Sequence, residues 1–372
     1  MSSTILITIY DNPDKFPPTL NAIYILSKKY RKVIIVWRGN PNIKLNLPDN
    51  CIHYCVSSGN LIDSSYFIKI YVLIKFLLSV IKHFRNYRPK WLVSYDCYSF
   101  TAALFVKLIN KHMKIWYHNH DITDTNYVTK YSLTYWCWLL EKKYINKVTS
   151  FTVPDESRLK YFYLNEYVNT KVIPNYPLKS FNDFFNYQTP STFKILYQGR
   201  VANGHGIIEL IKFIHSNPQM AIQFDIIGSY DDDFKESLIS LIKNLKLQHK
   251  VILHERIPNY KDLKNFTKNF HIGLGIMEPL NLQFQTCAKA SNKIYEYIAF
   301  GMPVILFDNA HFKSALSQYQ WAHFTDMSEQ SFKSTLTEIM DNFEFYSKYA
   351  YNDFRNKLNF ETVFADQEKF LS

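Results

Sequence analysis

The 372-residue chain has little glycine and little cysteine, and it has no long uninterrupted apolar run. Only 9 of the 372 residues, about 2.4%, are glycine, against roughly 7% in average proteins. Each glycine is therefore expected where the backbone requires it. Seven of the nine lie between 199 and 301, which is where we expect the chemistry. The five scattered cysteines contain no C-x-x-C pair, which argues against a disulfide framework or a zinc site. With no secretory leader pattern at the start, we expect a cytoplasmic protein.

Positive charge is in excess, with 43 Lys and Arg against 32 Asp and Glu, a net charge of +11. The longest apolar stretch, Tyr66–Phe84, contains Lys69, Lys75 and Lys82. A lysine at the centre of a spanning helix costs about 2.5–3.5 kcal/mol, so this segment is not expected to cross a membrane. We predict an amphipathic helix whose outer side carries Lys75, Ser79, Lys82 and Asn86. The opposite, buried side would carry the apolar residues Ile70, Leu73, Leu77, Ile81 and Phe84. Two interpretations are compatible, a surface helix of an α/β layer and a helix that also rests on an anionic bilayer.

Strand-like and helix-like segments alternate twice, from Thr4–Ile9 to Lys114–Tyr117 and again from Phe193–Tyr197 to Val304–Phe307. Such alternation predicts an α/β protein with two doubly wound, Rossmann-like domains and mostly parallel sheets. The predicted boundaries are 1–175 for the first domain, 176–192 for a linker, 193–345 for the second domain and 346–372 for a helical tail. Two such domains are expected to face a central cleft, with ligands at the carboxyl ends of the strands.

A strand end, a glycine-bearing loop and a helix follow one another in Tyr197–Ile207, YQGRVANGHGI. The amides of such a loop can approach a phosphate, and Arg200 could bind it through two hydrogen bonds. The spacing of Gly199, Gly204 and Gly206 fits neither a P-loop nor a dinucleotide fingerprint. By itself this segment is better explained as a plain turn.

The segment Ser291–Ile305 reads as a helix, a glycine stop, a proline and a strand. Lys293 and Glu296 share a face of that helix, so an ordinary surface ion pair is one explanation. The functional alternative is that Glu296 accepts two hydrogen bonds from a ribose diol while Asn292 and Lys293 face a diphosphate.

Two further polar clusters suggest metal binding at first sight. His118, His120 and Asp121 follow a predicted strand, but no other cluster of ligand spacing supports a metal there. Asp231–Asp233 precedes a predicted helix, where N-capping and the helix dipole account for acidic residues. We therefore expect no metal.

These motifs together resemble a known family. NKIYEYIAFGMPVI and YQGRVANGHGIIELI resemble the nucleotide-sugar-binding half of the GT-B glycosyltransferases, specifically the retaining family 4 group. VIPNYP and FDIIGSY are similar to further segments of that family, over roughly residues 1–330, with a looser match in the N-terminal half. The resemblance implies the GT-B fold, with C-terminal helices that cross back to the first domain.

The resemblance also implies roles for single residues. Glu296 matches the second active-site glutamate, which binds the ribose, and Arg200 matches the diphosphate-binding arginine. His120 is where the family carries a histidine that faces the donor sugar, and we favour it over His118 because Asp121 follows it directly.

The chain departs from the family at two positions. His205 stands before Gly206, where the family usually has lysine, and Ala288 stands where the family has its first glutamate. Glu278 lies in the same loop region but ten residues too early for that register. The donor sugar therefore stays open, and an inactive homologue is an alternative.

We predict a cytoplasmic glycosyltransferase, hexosyl-transferring and retaining, peripheral on the inner face of the cell membrane. It would move a sugar from a nucleotide diphosphate to an acceptor hydroxyl in surface polysaccharide or lipid-linked glycan synthesis, with no cofactor besides the donor. The predicted donor-binding residues are Gly199, Arg200, His205, Gly206, Gly228, Asn292, Lys293 and Glu296. The alternatives are a nucleotide-sugar epimerase of the same plan, which would need no acceptor, and a basic protein that binds membranes or nucleic acid. No nucleic-acid-binding motif is found, so we expect no nucleic-acid partner.

Overall fold

The computed structural model describes residues 2–59, 61, 64–182, 188–258 and 260–371. The chain divides into two units, Met1–Asn175 with Phe360–Ser372, and Tyr176–Asn359. Within the segment predicted as a linker, 183–187 lie outside the described residues, and the rest counts with the second unit. The predicted tail divides between the two units, since its first part belongs to the second unit and its last helix to the first.

The first unit contains a parallel sheet in which the strand order is β3-β2-β1-β4-β5-β6-β7. Its strands are β1 (Ser2–Ile9), β2 (Tyr30–Gly39), β3 (Cys51–Ser57), β4 (Trp91–Tyr95), β5 (Lys114–His118), β6 (Ser150–Val153) and β7 (Asn169–Val172). The middle of β2, Val33–Trp37, is fully buried. A continuous apolar run of this kind is typical of a parallel strand that is covered on both faces.

Four helices accompany this sheet in the first part of the chain: α1 (Pro17–Ser27), α2 (Tyr66–Tyr87), α3 (Asp96–Ile109) and α4 (Leu133–Tyr144). Two prolines open α1, where the missing amide protons cost nothing. The Ser65 hydroxyl caps α2 by accepting from the amide of Ile68. At its other end α2 stops at Arg88, which has a left-handed conformation.

The second unit repeats the plan with a parallel sheet of order β10-β9-β8-β11-β12-β13. Its strands are β8 (Phe193–Val201), β9 (Ile222–Tyr230), β10 (Val251–His254), β11 (Ile272–Leu274), β12 (Val304–Phe307) and β13 (Ala322–Thr325). Its helices are α5 (Ile207–Ser216), α6 (Asp232–Asn244), α7 (Tyr260–Thr267), α8 (Leu282–Gln285), α9 (Asn292–Ala299), α10 (Ala310–Leu316), α11 (Glu329–Asp341) and α12 (Phe343–Asn356).

The last helix, α13 (Phe360–Phe370), packs on the first unit. Phe370 and Phe364 contact Trp91 and Trp116, with ring centroids 5.5 and 5.6 Å apart. The Tyr30 hydroxyl donates to the carbonyl of Leu371 at the very end of the helix. The expectation that the chain returns to its first domain is confirmed.

Both sheets have the doubly wound order, in which the chain starts at a central strand, moves outward one way and then reverses. The reversal lies between β1 and β4 in the first unit and between β8 and β11 in the second. Ligands of such sheets bind beyond the carboxyl ends of the strands at this point. The predicted α/β class with two Rossmann-like domains is confirmed.

The orientation predicted for α2 is wrong in part. Its buried side chains are Val72, Leu73, Phe76, Val80, His83 and Phe84, whereas Ile70, Leu77 and Ile81 are only half-buried. The side of α2 that carries Phe76 faces the core, because its residues pack between β2 and α3. None of the described helices is long and apolar enough to cross a membrane.

Candidate active site

The eight predicted donor-binding residues all lie in the second unit, and most of them surround the carboxyl end of β8. Gly199 and Arg200 are on β8 itself, and Gly199 pairs in register with Gly228 on β9. Glu296 reaches β8 through Gln198, and Lys293 lies over the ring of Tyr197. The tertiary structure therefore brings the two sequence motifs together at the point where the strand order reverses.

Glu296 is almost buried on α9, with 5% of its surface exposed. Its Oε1 accepts from the Tyr260 hydroxyl at 2.6 Å, and its Oε2 accepts from the side-chain amide of Gln198. Burial raises the pKa of Glu296 to about 7, although both hydrogen bonds favour the charged form. Each carboxylate oxygen keeps a second lone pair, so the group can still accept from two further hydroxyls.

Lys293 lies one turn before Glu296, but the two side chains form no ion pair. Its Nζ instead sits 4.2 Å from the centroid of the Tyr197 ring. Burial lowers the pKa of Lys293 to about 7, because no carboxylate of the described residues offsets the lost hydration. Because the Lys293 ammonium contacts an aromatic ring and no carboxylate of the described residues, it can bind an incoming anion. The ordinary ion-pair explanation of the Lys293 and Glu296 spacing is wrong.

Arg200 is exposed and forms a forked pair with Asp231, with Nη2 to Oδ1 at 3.1 Å and Nε to Oδ1 at 3.2 Å. Asp231 stands at the N-cap position of α6 but makes no capping hydrogen bond with its side chain. The predicted N-capping role of this residue is therefore wrong. Asp232 and Asp233 do lie in the first turn of α6, as the helix-dipole explanation expects.

Gly206 stands at the N-cap of α5 in a left-handed conformation, with φ +68°. A Cβ there would approach Ile276 Cδ1 to 2.7 Å, so both the backbone and the space require glycine. Among the described residues no side chain caps the first amides of α5, and the same holds for α9, whose N-cap is Ser291. Asn292, the first residue of α9, has a buried Oδ1 that accepts a hydrogen bond from none of the described residues. Uncapped amides at a helix N-terminus favour a bound phosphate.

His205 precedes this helix and is buried between the rings of Tyr197 and Phe284. Its Nδ1 lies 3.2 Å from the carbonyl of Ile276, and since a carbonyl only accepts, this nitrogen carries the proton. Burial, with the Lys293 charge second, lowers the pKa of His205 to about 3. Position 205 is therefore neutral, and it cannot supply the positive charge of the lysine that the family usually has there.

Gly228 lies directly against β8, with φ +155°. A Cβ at this position would overlap the carbonyl oxygen of Gly199. The close approach of the two strand ends therefore depends on glycine at 228.

The loop that precedes α9 has no carboxylate at the position of the family's first glutamate. Ala288 is fully buried there, its amide donates to His311 Nε2 at 3.3 Å, and its carbonyl accepts from the Tyr295 hydroxyl at 2.8 Å. Glu278 is the acidic residue of this loop, and its amide donates to the Gly204 carbonyl at the entrance to α5. Burial and the charge of Glu209 raise the pKa of Glu278.

The predicted histidine cluster lies in the first unit, at the carboxyl end of β5. His118 is buried, with Nδ1 2.7 Å from the Thr152 hydroxyl, and its Nε2 has no partner among the described residues. His120 is stacked between Phe16 and Tyr95, with centroids at 5.3 and 4.8 Å. Burial lowers the pKa of His118 to about 3 and that of His120 well below its ordinary value. Both imidazoles are therefore neutral.

Residues that the sequence analysis did not single out hold the His120 loop in place. Asp96 Oδ1 accepts from the amides of His120 and Asp121, at 2.7 and 3.2 Å, and Asp96 adopts a left-handed φ of +62° to do so. The buried Arg158 donates to the carbonyl of His120, and the Thr19 hydroxyl lies 2.7 Å from His120 Nε2. The left-handed backbone of Asp96 is strained, and strain of this kind is typical of functional sites.

Gln198, Tyr260 and Thr267 were also missed, although they position Glu296. The Gln198 side chain accepts from Thr267 Oγ1 at 2.9 Å while it donates to the carboxylate. Gln198 lies within the Tyr197–Ile207 motif, next to its glycine-bearing loop, so the sequence could have suggested it. Tyr260 and Thr267 lie on α7, far from either motif, and no pattern in the sequence points to them.

The fold resembles solved glycosyltransferases along the whole chain. The sucrose-phosphate synthase of Thermosynechococcus elongatus is 13% identical with a TM-score of 0.72, covering 100% of this chain and 98% of that one. A glycosyltransferase from Rickettsia africae is 14% identical with a TM-score of 0.70, over 100% and 98%. HepE of Anabaena, solved in complex with UDP-glucose, is 12% identical with a TM-score of 0.70, over 99% of both chains. Among curated proteins none matches the chain by sequence.

The two-sheet architecture is the GT-B fold of these glycosyltransferases. Residues 180–355, which include the donor-site cluster, match the family described as glycosyl transferases group 1. The matched segment falls in the second unit and covers just under half of the chain. The predicted resemblance is confirmed, while the roles of the single site residues stay predictions.

Proposed function

We propose that this protein transfers a hexosyl group, with retention, from a nucleoside diphosphate sugar to an acceptor hydroxyl. The observation that carries the proposal is the cluster at the end of β8. There a buried carboxylate, two cationic side chains and two uncapped helix N-termini lie around one strand end. A nucleoside diphosphate offers the complementary groups, namely a ribose diol and two phosphates.

Glu296 is proposed to accept from the ribose hydroxyls, because Gln198 and Tyr260 already fix its orientation. Lys293 and Arg200 are proposed to bind the diphosphate, with the amides of α5 and α9. Arg200 is exposed and lies on the strand that ends at the cluster, so it can exchange Asp231 for phosphate. Negative charge builds on the leaving diphosphate in an oxocarbenium-like transition state, and these groups are the ones that stabilise it.

Retention is proposed from the resemblance to family 4, in which the departing phosphate itself assists deprotonation of the acceptor. His120 is proposed to contact the donor sugar as a neutral hydrogen-bonding group, because its imidazole does not hold a proton near pH 7. The proposal involves no metal, since the positive charge comes from side chains and amides. The acceptor is proposed to be a growing surface polysaccharide or a lipid-linked saccharide, reached from the cytoplasmic side of the membrane.

The test begins with a panel of nucleoside diphosphate sugars, UDP sugars first, measured by thermal stabilisation of the purified protein. A donor at 100 times its Kd should stabilise the second unit by about 2.7 kcal/mol. The isosteric variant Glu296→Gln should then lose most donor turnover, while Glu236→Gln, an exposed residue on α6, should retain it. Equal turnover in the two variants would remove Glu296 from the site.

The epimerase alternative is separated by the product. Mass spectrometry should find the sugar on an added acceptor and little reaction without one, and NMR should show the anomeric configuration of the donor retained. A product formed equally well without acceptor would instead assign an epimerase or hydrolase.

A further inference from the structure

The first unit exposes large apolar side chains on the outer side of α2 and in the region of α4. Phe67 and Leu78 are 82% and 61% exposed. The residues concerned are Phe67, Tyr71, Ile74 and Leu78 of α2, with Tyr131 just before α4 and Trp136 on it; together they define the α2–α4 face. Soluble proteins rarely expose apolar residues in groups, and such a group marks an interaction surface.

The four α2 residues form a single stripe. Their spacing along the chain is four, three and four residues, so they follow one another along one side of the helix. The opposite side, with Val72, Phe76 and Val80, is buried against the sheet. The stripe therefore has no counterpart within the described part of the first unit.

Helices α2 and α4 are neighbours on the same side of the sheet. Leu73 of α2, Cys97 of α3 and Cys137 of α4 belong to one buried cluster, and Leu77 and Leu133 pack against it. The exposed side chains of α2 and α4 consequently belong to one side of this unit.

The region of α4 adds a cluster of aromatic rings beside lysines. Only Cys137 and Glu141 of this helix are buried, although most of its residues are apolar. The ring of Trp136 lies 6.2 Å from that of Tyr131 and 5.9 Å from that of Tyr135. Lys130 lies over the Tyr131 ring at 5.4 Å. Tyr and Trp next to lysine are the residues that proteins place at the boundary between water and lipid.

The segment of the chain that contains α2 and α4 also carries most of the net positive charge. Residues 64–147 contain 13 Lys and Arg against four Asp and Glu, a net charge of +9 out of +11 for the whole chain. Two of the four acids point inward, since Glu141 is buried and Asp96 accepts from backbone amides. Within the described ranges, no carboxylate lies within ion-pair distance of Lys75, Lys82 or Arg85 on α2.

We propose that the α2–α4 face binds the surface of a bilayer that contains anionic lipid. The aromatic and aliphatic side chains would enter the boundary between headgroups and acyl chains, while the lysines contact the headgroup phosphates. A second copy of this chain fits less well, because a two-fold dimer would place this positive surface against itself. Nucleic acid fits less well too, because Ile74 and Leu78 find no apolar partner on a phosphate backbone. The proposal goes beyond glycosyl transfer, since it concerns a different surface.

The test is flotation of the full chain with vesicles of phosphatidylcholine alone and with added phosphatidylglycerol. The protein should bind the anionic vesicles, fail to bind the neutral ones, and dissociate as salt is raised. Lys75→Glu with Lys82→Glu should weaken partitioning at least about 30-fold, because each lysine near such a surface contributes about a factor of five. Ile74→Ser with Leu78→Ser should weaken it at least about tenfold, since less apolar surface is buried.

Two double variants serve as matched controls. Lys212→Glu with Lys243→Glu makes the same change in net charge on exposed positions of the second unit, and Tyr163→Ser with Tyr167→Ser removes two exposed tyrosines of the first unit elsewhere. Both should bind like the wild type. The proposal is overturned by equal binding to neutral and anionic vesicles, by no binding to either, or by controls that weaken as much as the test variants. Duplex DNA binding without vesicle binding would assign a nucleic-acid surface, and a dimer that Ile74→Ser disrupts without vesicle binding would assign self-association.

Discussion

Replacing Lys293 by methionine should stabilise the protein and weaken donor binding at the same time. Burial lowers the pKa of this ammonium from 10.5 to about 7, and among the described residues its charge is partnered by the Tyr197 ring. The difference between those two values corresponds to about 5 kcal/mol of unfavourable free energy for the charged form in the folded protein. Methionine keeps the length of the side chain and removes the charge.

At pH 7 the variant should gain about 3 kcal/mol in the free energy of unfolding of the second unit. This figure already subtracts about 1 kcal/mol for the lost contact with Tyr197. Between pH 7 and 10.5 the unfolded chain binds a proton that folded Lys293 does not, so wild-type stability rises with pH across this window. The advantage of Lys293→Met should therefore shrink by about 1.4 kcal/mol per pH unit above 7. Urea unfolding at a series of pH values measures this.

The same variant should bind the nucleoside diphosphate about 10- to 100-fold more weakly by calorimetry, because a charge-assisted hydrogen bond to phosphate is lost. Lys212→Met, on the exposed side of α5, is the matched control and should change neither quantity. A Lys293→Met variant that is less stable than the wild type, or that binds the diphosphate equally well, would refute the reasoning.

Two further predictions concern the strands of the donor site. Gly228→Ala should lower the free energy of unfolding by at least about 3 kcal/mol, because its Cβ would overlap the Gly199 carbonyl oxygen. The control Gly59→Ala, whose Cβ meets nothing within 4 Å, should be nearly neutral in the same melting experiment. Asp231→Asn should strengthen nucleoside diphosphate binding by up to about fivefold, because an exposed ion pair with Arg200 contributes at most about 1 kcal/mol and is lost when phosphate binds; weaker binding by titration calorimetry would show that Asp231 orients Arg200 for the ligand.

The regular parts of the fold could be predicted because burial leaves a periodic pattern in the chain. The central strands β1, β2, β4 and β5 are short apolar runs, and those patterns indicate them directly. Strands β3, β6 and β7 and helix α4 are among the elements that the sequence pattern does not indicate. Strand β7, with the sequence NTKV, lies at the sheet edge and is only half-buried, so its pattern is weak. Helix α4 has apolar residues on most of its sides, so no apolar stripe stands out against a polar side.

The candidate donor site was predictable to the extent that local motifs mark it. The glycine-bearing loop and the α9 helix each have recognisable residues at short spacing. The partners of Glu296 on α7 could not be found this way, because a hydrogen bond across the domain requires no pattern in the chain. The charge state of His205 was equally out of reach, since it depends on the burial that packing creates.

The few glycines concentrate in the region of the candidate site, because a backbone with positive φ strongly favours this one residue and the five glycines that adopt it all lie between 199 and 301. Composition and periodicity likewise determined the α/β class and the two-domain plan, since both depend on residues that are close in the chain. The tertiary structure alone decided that Lys293 faces an aromatic ring and not Glu296, and that α2 exposes an apolar stripe. Those outcomes depend on how helices are turned against their sheets, and that rotation is determined by packing between residues far apart in the sequence.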